Sequence, residues 1–107
     1  MEKYIKDGKV AVLYHPHYGG GWSAWAKPKD AVILAMDADI VRARIEGNYE
    51  LFKNTVEKKV PNYTLKVDPA LYARLQVKWL EVGTVFEITD HEGFESFKIC
   101  YNDVMIA

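Results

Sequence analysis

The residues best equipped for chemistry crowd into one stretch, His15-Pro16-His17-Tyr18-Gly19-Gly20-Gly21-Trp22-Ser23-Ala24-Trp25. His15 and His17 are two apart, the spacing that puts two imidazoles on one side of an extended strand. With His91 or Asp90 as a further ligand they could hold zinc or non-haem iron. Pro16 between them and the lack of any helical H-x-x-x-H argue against this, so neither a metal nor a cofactor is expected. His15 with Asp90 or Glu92 has the groups for general acid–base work, but nothing in the sequence brings them together. Ser23 lies outside any G-x-S-x-G elbow and so lacks that means of activation. An enzyme, in the form of a small His-dependent hydrolase, therefore ranks behind two non-catalytic readings.

The glycines suggest the first of these. Successive backbone N–H groups with no side chains in front of them form a concavity suited to phosphate or carboxylate. Tyr14, Tyr18, Trp22 and Trp25 offer faces on which a base or ring can stack, and Lys27 and Lys29 follow with charge. Neither G-x-x-x-x-G-K-[ST] nor G-x-G-x-x-G is present, so this is no recognised phosphate fingerprint. The expected ligand-binding set is Tyr14, His15, His17, Tyr18, Gly19, Gly20, Gly21, Trp22 and Trp25. A tight turn with Trp22 and Trp25 in the core is the competing reading. A plain hinge needs one permissive residue, whereas three glycines cost ordering entropy that something must offset, which favours a binding loop.

Composition narrows the classes. The chain of 107 residues carries 14 basic and 15 acidic side chains, a formal net charge of -1. No global field would draw in duplex nucleic acid or an anionic membrane. Arg42, Arg44, Arg74 and the pair Lys58-Lys59 read as solvated helix faces. Half the residues are hydrophobic, a globular composition. The length predicts a single domain over residues 1–107 that buries roughly two-thirds of its unfolded surface. The single cysteine, Cys100, cannot form an internal disulfide, and Phe97, Ile99 and Tyr101 around it predict a buried core residue. No apolar run approaches bilayer length and the N-terminus does not read as a signal peptide, so a cytoplasmic location is expected.

The elements that must position these residues follow from patterning. Lys9 to Tyr14 predicts a strand, apolar on both faces at Val10-Ala11-Val12-Leu13 and therefore central, ended by Pro16. Ala31 to Met36 reads equally as a strand or as the opening of a helix. Asp37 or Asp39 predicts an N-cap for a helix through Ile45, with Gly47 at its left-handed C-terminal position. Asn48 predicts the cap of a second helix that Lys58-Lys59 and Pro61 bring to an end. Pro69 suits the first turn of a short helix over 70–74. From Leu75 the period becomes two, predicting strands over 75–79, 84–89 and 94–99, with a last edge strand over 104–106. The expected fold class is α+β, a small, mainly antiparallel sheet with two helices packed on one face.

The stretch from Val10 to Trp25, with Leu75-Gln76-Val77-Lys78-Trp79-Leu80-Glu81-Val82-Gly83-Thr84-Val85-Phe86-Glu87-Ile88 and Asp90-His91-Glu92-Gly93-Phe94-Glu95, resembles a group of small proteins of bacteriophages and bacteria. Their pattern runs V-A-V-L-x-S-P-G-x-G-A-G-W-S-T-W, then L-x-V-x-W-V-P-E-G-T-x-F-x-I, then a turn like Y-D-G-x-E. His15, His17, Gly20 and Val82 stand here where the pattern has serine, glycine, alanine and proline. The resemblance implies a phage protein acting in the host cytoplasm against host defence, by sequestering a small anionic nucleotide signal without catalysis. The alternative is an interaction protein whose exposed aromatics dock on a host defence protein. A domain this small offers little concave volume, so a homo-oligomer, most simply a dimer, is expected.

Overall fold

The computed structural model describes residues 1–63, 67–99 and 105–107. Cys100 and Val104, and with them the expected burial of the cysteine and the start of the last strand, lie outside the described residues. The helices begin where local chemistry dictates. Helix α1, Pro28–Met36, has its proline at the first position, where no N–H is required. Helix α2, Ala38–Ile45, is capped by Asp37, whose carboxylate accepts from the amides of Asp39 and Ile40. Asn48 caps α3, Tyr49–Lys59, by accepting from Leu51 N, and Asp68 caps α4, Pro69–Arg74, by accepting from Leu71 N. Gly47 takes φ +73 just beyond α2, the left-handed turn its lack of a Cβ permits. The ambiguous run Ala31 to Met36 is helical. Its period is silent because Ala31, Leu34, Ala35 and Met36 are buried and Val32 and Ile33 half-buried, leaving no polar face.

The strands are β1 (Ile5–Lys6), β2 (Lys9–Tyr14), β3 (Gln76–Glu81), β4 (Val85–His91), β5 (Phe94–Ile99) and β6 (Met105–Ile106). They make two three-stranded antiparallel sheets, in the orders β1-β2-β3 and β5-β4-β6. The α+β class is therefore observed, but with two sheets where one was expected. The sheets meet at a corner, where Glu95 N donates to His15 O at 2.8 Å and Pro16 bridges Phe94. The turn after β4 is tighter than the four residues expected, because Glu92 and Gly93 both take positive φ and let β4 run on to His91.

Central strand β2 divides two cores. Ala11 and Leu13 face Trp22, Ile40, Val41, Phe52, Val56 and Leu75 on the side of α2, α3 and α4. Val10 and Val12 face Ala31, Ala35, Met36, Leu80, Phe86 and Ile88 on the side of the second sheet. Helix α1 sends residues into both, since Leu34 joins the first and Ala35 the second. Helices thus flank β2 on both faces, where two on one face were expected. A strand apolar on both faces needs two covers, and here α1 and the β4–β5 hairpin supply the second.

Candidate functional site

The loop from His15 to Trp25 is organised by a residue its own sequence does not contain. Glu95, on β5, is fully buried, and its carboxylate accepts three backbone hydrogen bonds. Its Oε1 takes His15 N at 2.9 Å, and its Oε2 takes Trp22 N at 3.1 Å and Ala24 N at 2.8 Å. Burial pushes the Glu95 carboxyl above its ordinary value, the three amides pull it back, and the charge on Asp90 adds to the rise. Tyr63 braces the same loop, its hydroxyl donating to Trp22 O at 2.8 Å. Burial, reinforced by the charge of Glu95, raises that phenol well above its usual range.

Gly20, Gly21 and Gly93 each have a reason in packing, whereas Gly19 meets nothing and is called for by its φ of +80 alone. A Cβ on Gly20 would overlap the His15 ring. A Cβ on Gly93 would lie 2.6 Å from both the nitrogen and the carbonyl oxygen of Gly20. Gly21, at φ +127, faces the Trp25 indole, whose Cε2 would be 2.8 Å from a Cβ there. Gly19 N donates to Glu92 O at 2.9 Å and Gly21 N to His15 Nδ1 at 3.3 Å. Of the glycine amides expected to cradle an anionic ligand, those of Gly19 and Gly21 are thus already engaged, as is that of Trp22 beside them. The anion that part of this loop holds is the protein's own Glu95 carboxylate.

The nine expected binding residues divide into an inner and an outer set. Trp22 has no exposed surface, stacks on Phe52 at 5.7 Å, meets Tyr63 edge-on at 5.3 Å and donates its Nε1–H to Leu34 O at 2.8 Å. His15 is also fully buried, with Nδ1 3.3 Å from Gly93 O. Neither can meet a ligand from solution without repacking, which corrects their assignment to a binding surface: Trp22 is a core aromatic. Tyr14 is half-buried against Phe97 at 4.8 Å. His17 is exposed beside the His15 ring, and Tyr18, 63% exposed, lies over Phe94 at 5.1 Å. Trp25 is 46% exposed.

Trp25 leads to a concavity that the glycine pattern did not disclose. A cleft of about 330 Å³ is lined by Trp25, Ala26, Lys27, Asp30, Asn62 and Tyr63. One edge is the start of α1 and the other the turn after α3, so chain segments more than thirty residues apart build it. Trp25 and Lys27 were legible as an aromatic next to a cation. Asn62 and Tyr63 had no spacing signal, since only the fold brings them near. Among the described residues no three His, Cys, Asp or Glu side chains are placed to hold a metal ion, and no helix is long and apolar enough to cross a membrane. Comparison with family models, with curated proteins and with solved structures gives no match to this chain.

Proposed function

We propose that the chain is a non-catalytic binding protein for a small planar anion of the nucleotide class, held in the cleft beside Trp25. The observation that carries this reading is the seating of Trp25. Its indole lies against the bare backbone of Gly21 and still exposes 46% of its surface beside the cleft. An aromatic backed by main chain is a pre-ordered platform for a base or ring. Lys27 supplies a cation at the rim and Asn62 a side-chain amide for edge recognition, while Asp30 limits how much negative charge the cleft accepts. The resemblance to small phage proteins supports sequestration of a nucleotide defence signal in the host cytoplasm as the biological role. A cleft of this volume is at the small end for such ligands, so a homodimer that adds a wall is part of the proposal. A hydrolase built on His15 would need its substrate to reach an imidazole with no exposed surface.

The test is titration with a panel of mono-, di- and cyclic nucleotides, followed by heat denaturation and recovery of the ligand. Saturable binding with the ligand recovered intact supports the proposal, and a converted ligand identifies an enzyme. Failure of every nucleotide to bind rejects it. The second reading, docking on a host protein, draws on Tyr18, which projects from the loop at 63% exposure.

A further inference from the structure

On the opposite edge of the first sheet, a two-residue turn sets up an arrangement the loop does not use. Asp7 and Gly8, at φ 53 and 75, connect β1 to β2 and place Lys6 directly across from Lys9. Like charges at directly opposed positions destabilise a strand pair. Neither lysine forms an ion pair with another described residue. Glu81 is the neighbour of Lys9 on the other side and offsets part of its charge. Lys6, on the outermost strand, has Lys9 as its cross-strand neighbour and no acid opposite it. Lys6, Asp7, Lys9 and Trp79 line a cleft of about 410 Å³. Trp79 is 39% exposed, its ring 6.0 Å from that of Tyr4, and the Arg42 guanidinium stands 5.8 Å from the Tyr4 centroid. The turn is held in place, because Val82 N donates to Gly8 O at 3.1 Å.

We infer that this cleft is a second ligand site, taking an aromatic phosphate with its ring on Trp79 and its phosphate between Lys6 and Lys9. A phosphate there converts a repulsive pair into two charge-assisted contacts. The adjacent indole supplies a stacking face, and Tyr4 with Arg42 extends it. Asp7 and Glu81 hold the net charge of the site low, which favours a monophosphate over a polyanion. The site shares no residue with the Trp25 cleft and does not rest on it.

The experiment uses Trp25→Phe protein, in which Trp22 is buried and Trp79 is the exposed fluorophore. Titration with adenosine monophosphate is expected to quench Trp79 saturably, with adenosine binding about tenfold more weakly. Inorganic phosphate should compete, and added salt should weaken binding. Lys6→Gln with Lys9→Gln is expected to cost about tenfold in affinity while circular dichroism stays unchanged. Absence of saturable quenching, or quenching indifferent to salt and to both lysine replacements, overturns the inference. If the double variant fails to fold, the salt dependence and phosphate competition decide alone. Trp79→Leu protein that retains Trp25 should lose this site and keep nucleotide binding beside Trp25, so the two clefts can fail separately.

Discussion

Gly93 and Gly20 touch backbone to backbone across the junction of the β4–β5 turn and the loop after β2, with no room for a Cβ on Gly93. Gly93→Ala meets both this contact and a φ of +87, and is expected to cost about 2–5 kcal/mol of stability. Gly83→Ala, at φ +91 with open space around it, should cost only about 1–2 kcal/mol. Gly20→Val, which must displace the His15 ring, is expected to reduce folding stability before it affects binding. Urea denaturation of the three variants checks the order.

Removing the Glu95 carboxylate orphans three buried amides. Glu95→Ala is expected to cost about 3–6 kcal/mol, and Glu95→Gln less, since one carboxamide end still accepts. The pH dependence runs opposite to that of a paired surface carboxylate. Because burial raises the folded-state value above 4.5, the folded chain binds this proton more tightly than the unfolded chain. The contribution of Glu95 is therefore fully present below pH 4.5 and declines as pH rises through the folded value. Urea midpoints measured from pH 4.5 upward should show this downward slope in the native sequence and not in Glu95→Gln.

The two loop tryptophans should respond differently. Trp22→Ala empties a core position and is expected to cost about 3–5 kcal/mol of stability. Trp25→Ala, which loses a half-exposed contact with Gly21, should cost less, about 1–2 kcal/mol of stability, and weaken nucleotide binding by about 1–3 kcal/mol. Thermal denaturation and ligand titration on the same pair of proteins check both. A Trp25→Ala variant that binds normally removes the basis of the proposed function.

Lys59 joins α3 to the start of α2, with Nζ 2.9 and 2.8 Å from the two Asp37 oxygens and 2.8 Å from Asp39 Oδ2. Lys59→Met is expected to cost about 1–3 kcal/mol, chiefly through the nearly buried Asp37. Lys59 holds the exposed Asp39 carboxyl below 3.8, so that part of the stability is lost as pH falls through the lowered value. Burial works against the charge on Lys59, but its two carboxylate partners outweigh it and raise its value above 10.5, so its contribution fades in strong alkali. Denaturation midpoints at both pH extremes, compared with Lys59→Met, check these signs.

Patterning disclosed most of the elements because their signals are local, but not the two-residue β1, and it left α1 open between helix and strand. Asn48, Pro69 and the alternation after Leu75 each act within a few residues of where they stand. It did not reveal that β2 and the β4–β5 hairpin belong to different sheets, because a strand apolar on both faces does not say which partners cover it. The site was legible in part. The glycine and tryptophan types marked an unusual loop, but a buried carboxylate eighty residues beyond His15 supplies the anion that sequence reasoning assigned to an external ligand. Glu95 sits in the run Phe94-Glu95-Ser96-Phe97, whose two phenylalanines fall on opposite faces of the strand, so alternation does not mark the inward face and the acid reads as an ordinary surface residue.

The two-sided burial of β2 also removes a common safeguard against mispairing. In a strand with one polar face, sliding by a single residue drives polar groups inward and is penalised at once. In β2 the same slide exchanges Val10 and Val12 for Ala11 and Leu13, apolar for apolar, so along most of its length only volume separates right from wrong. The phase of the strand must then be set at its ends. At one end the Asp7-Gly8 turn leaves no slack between β1 and β2. At the other, His15 N and O are both bonded to Glu95, a pairing that a chain shifted by one residue cannot make.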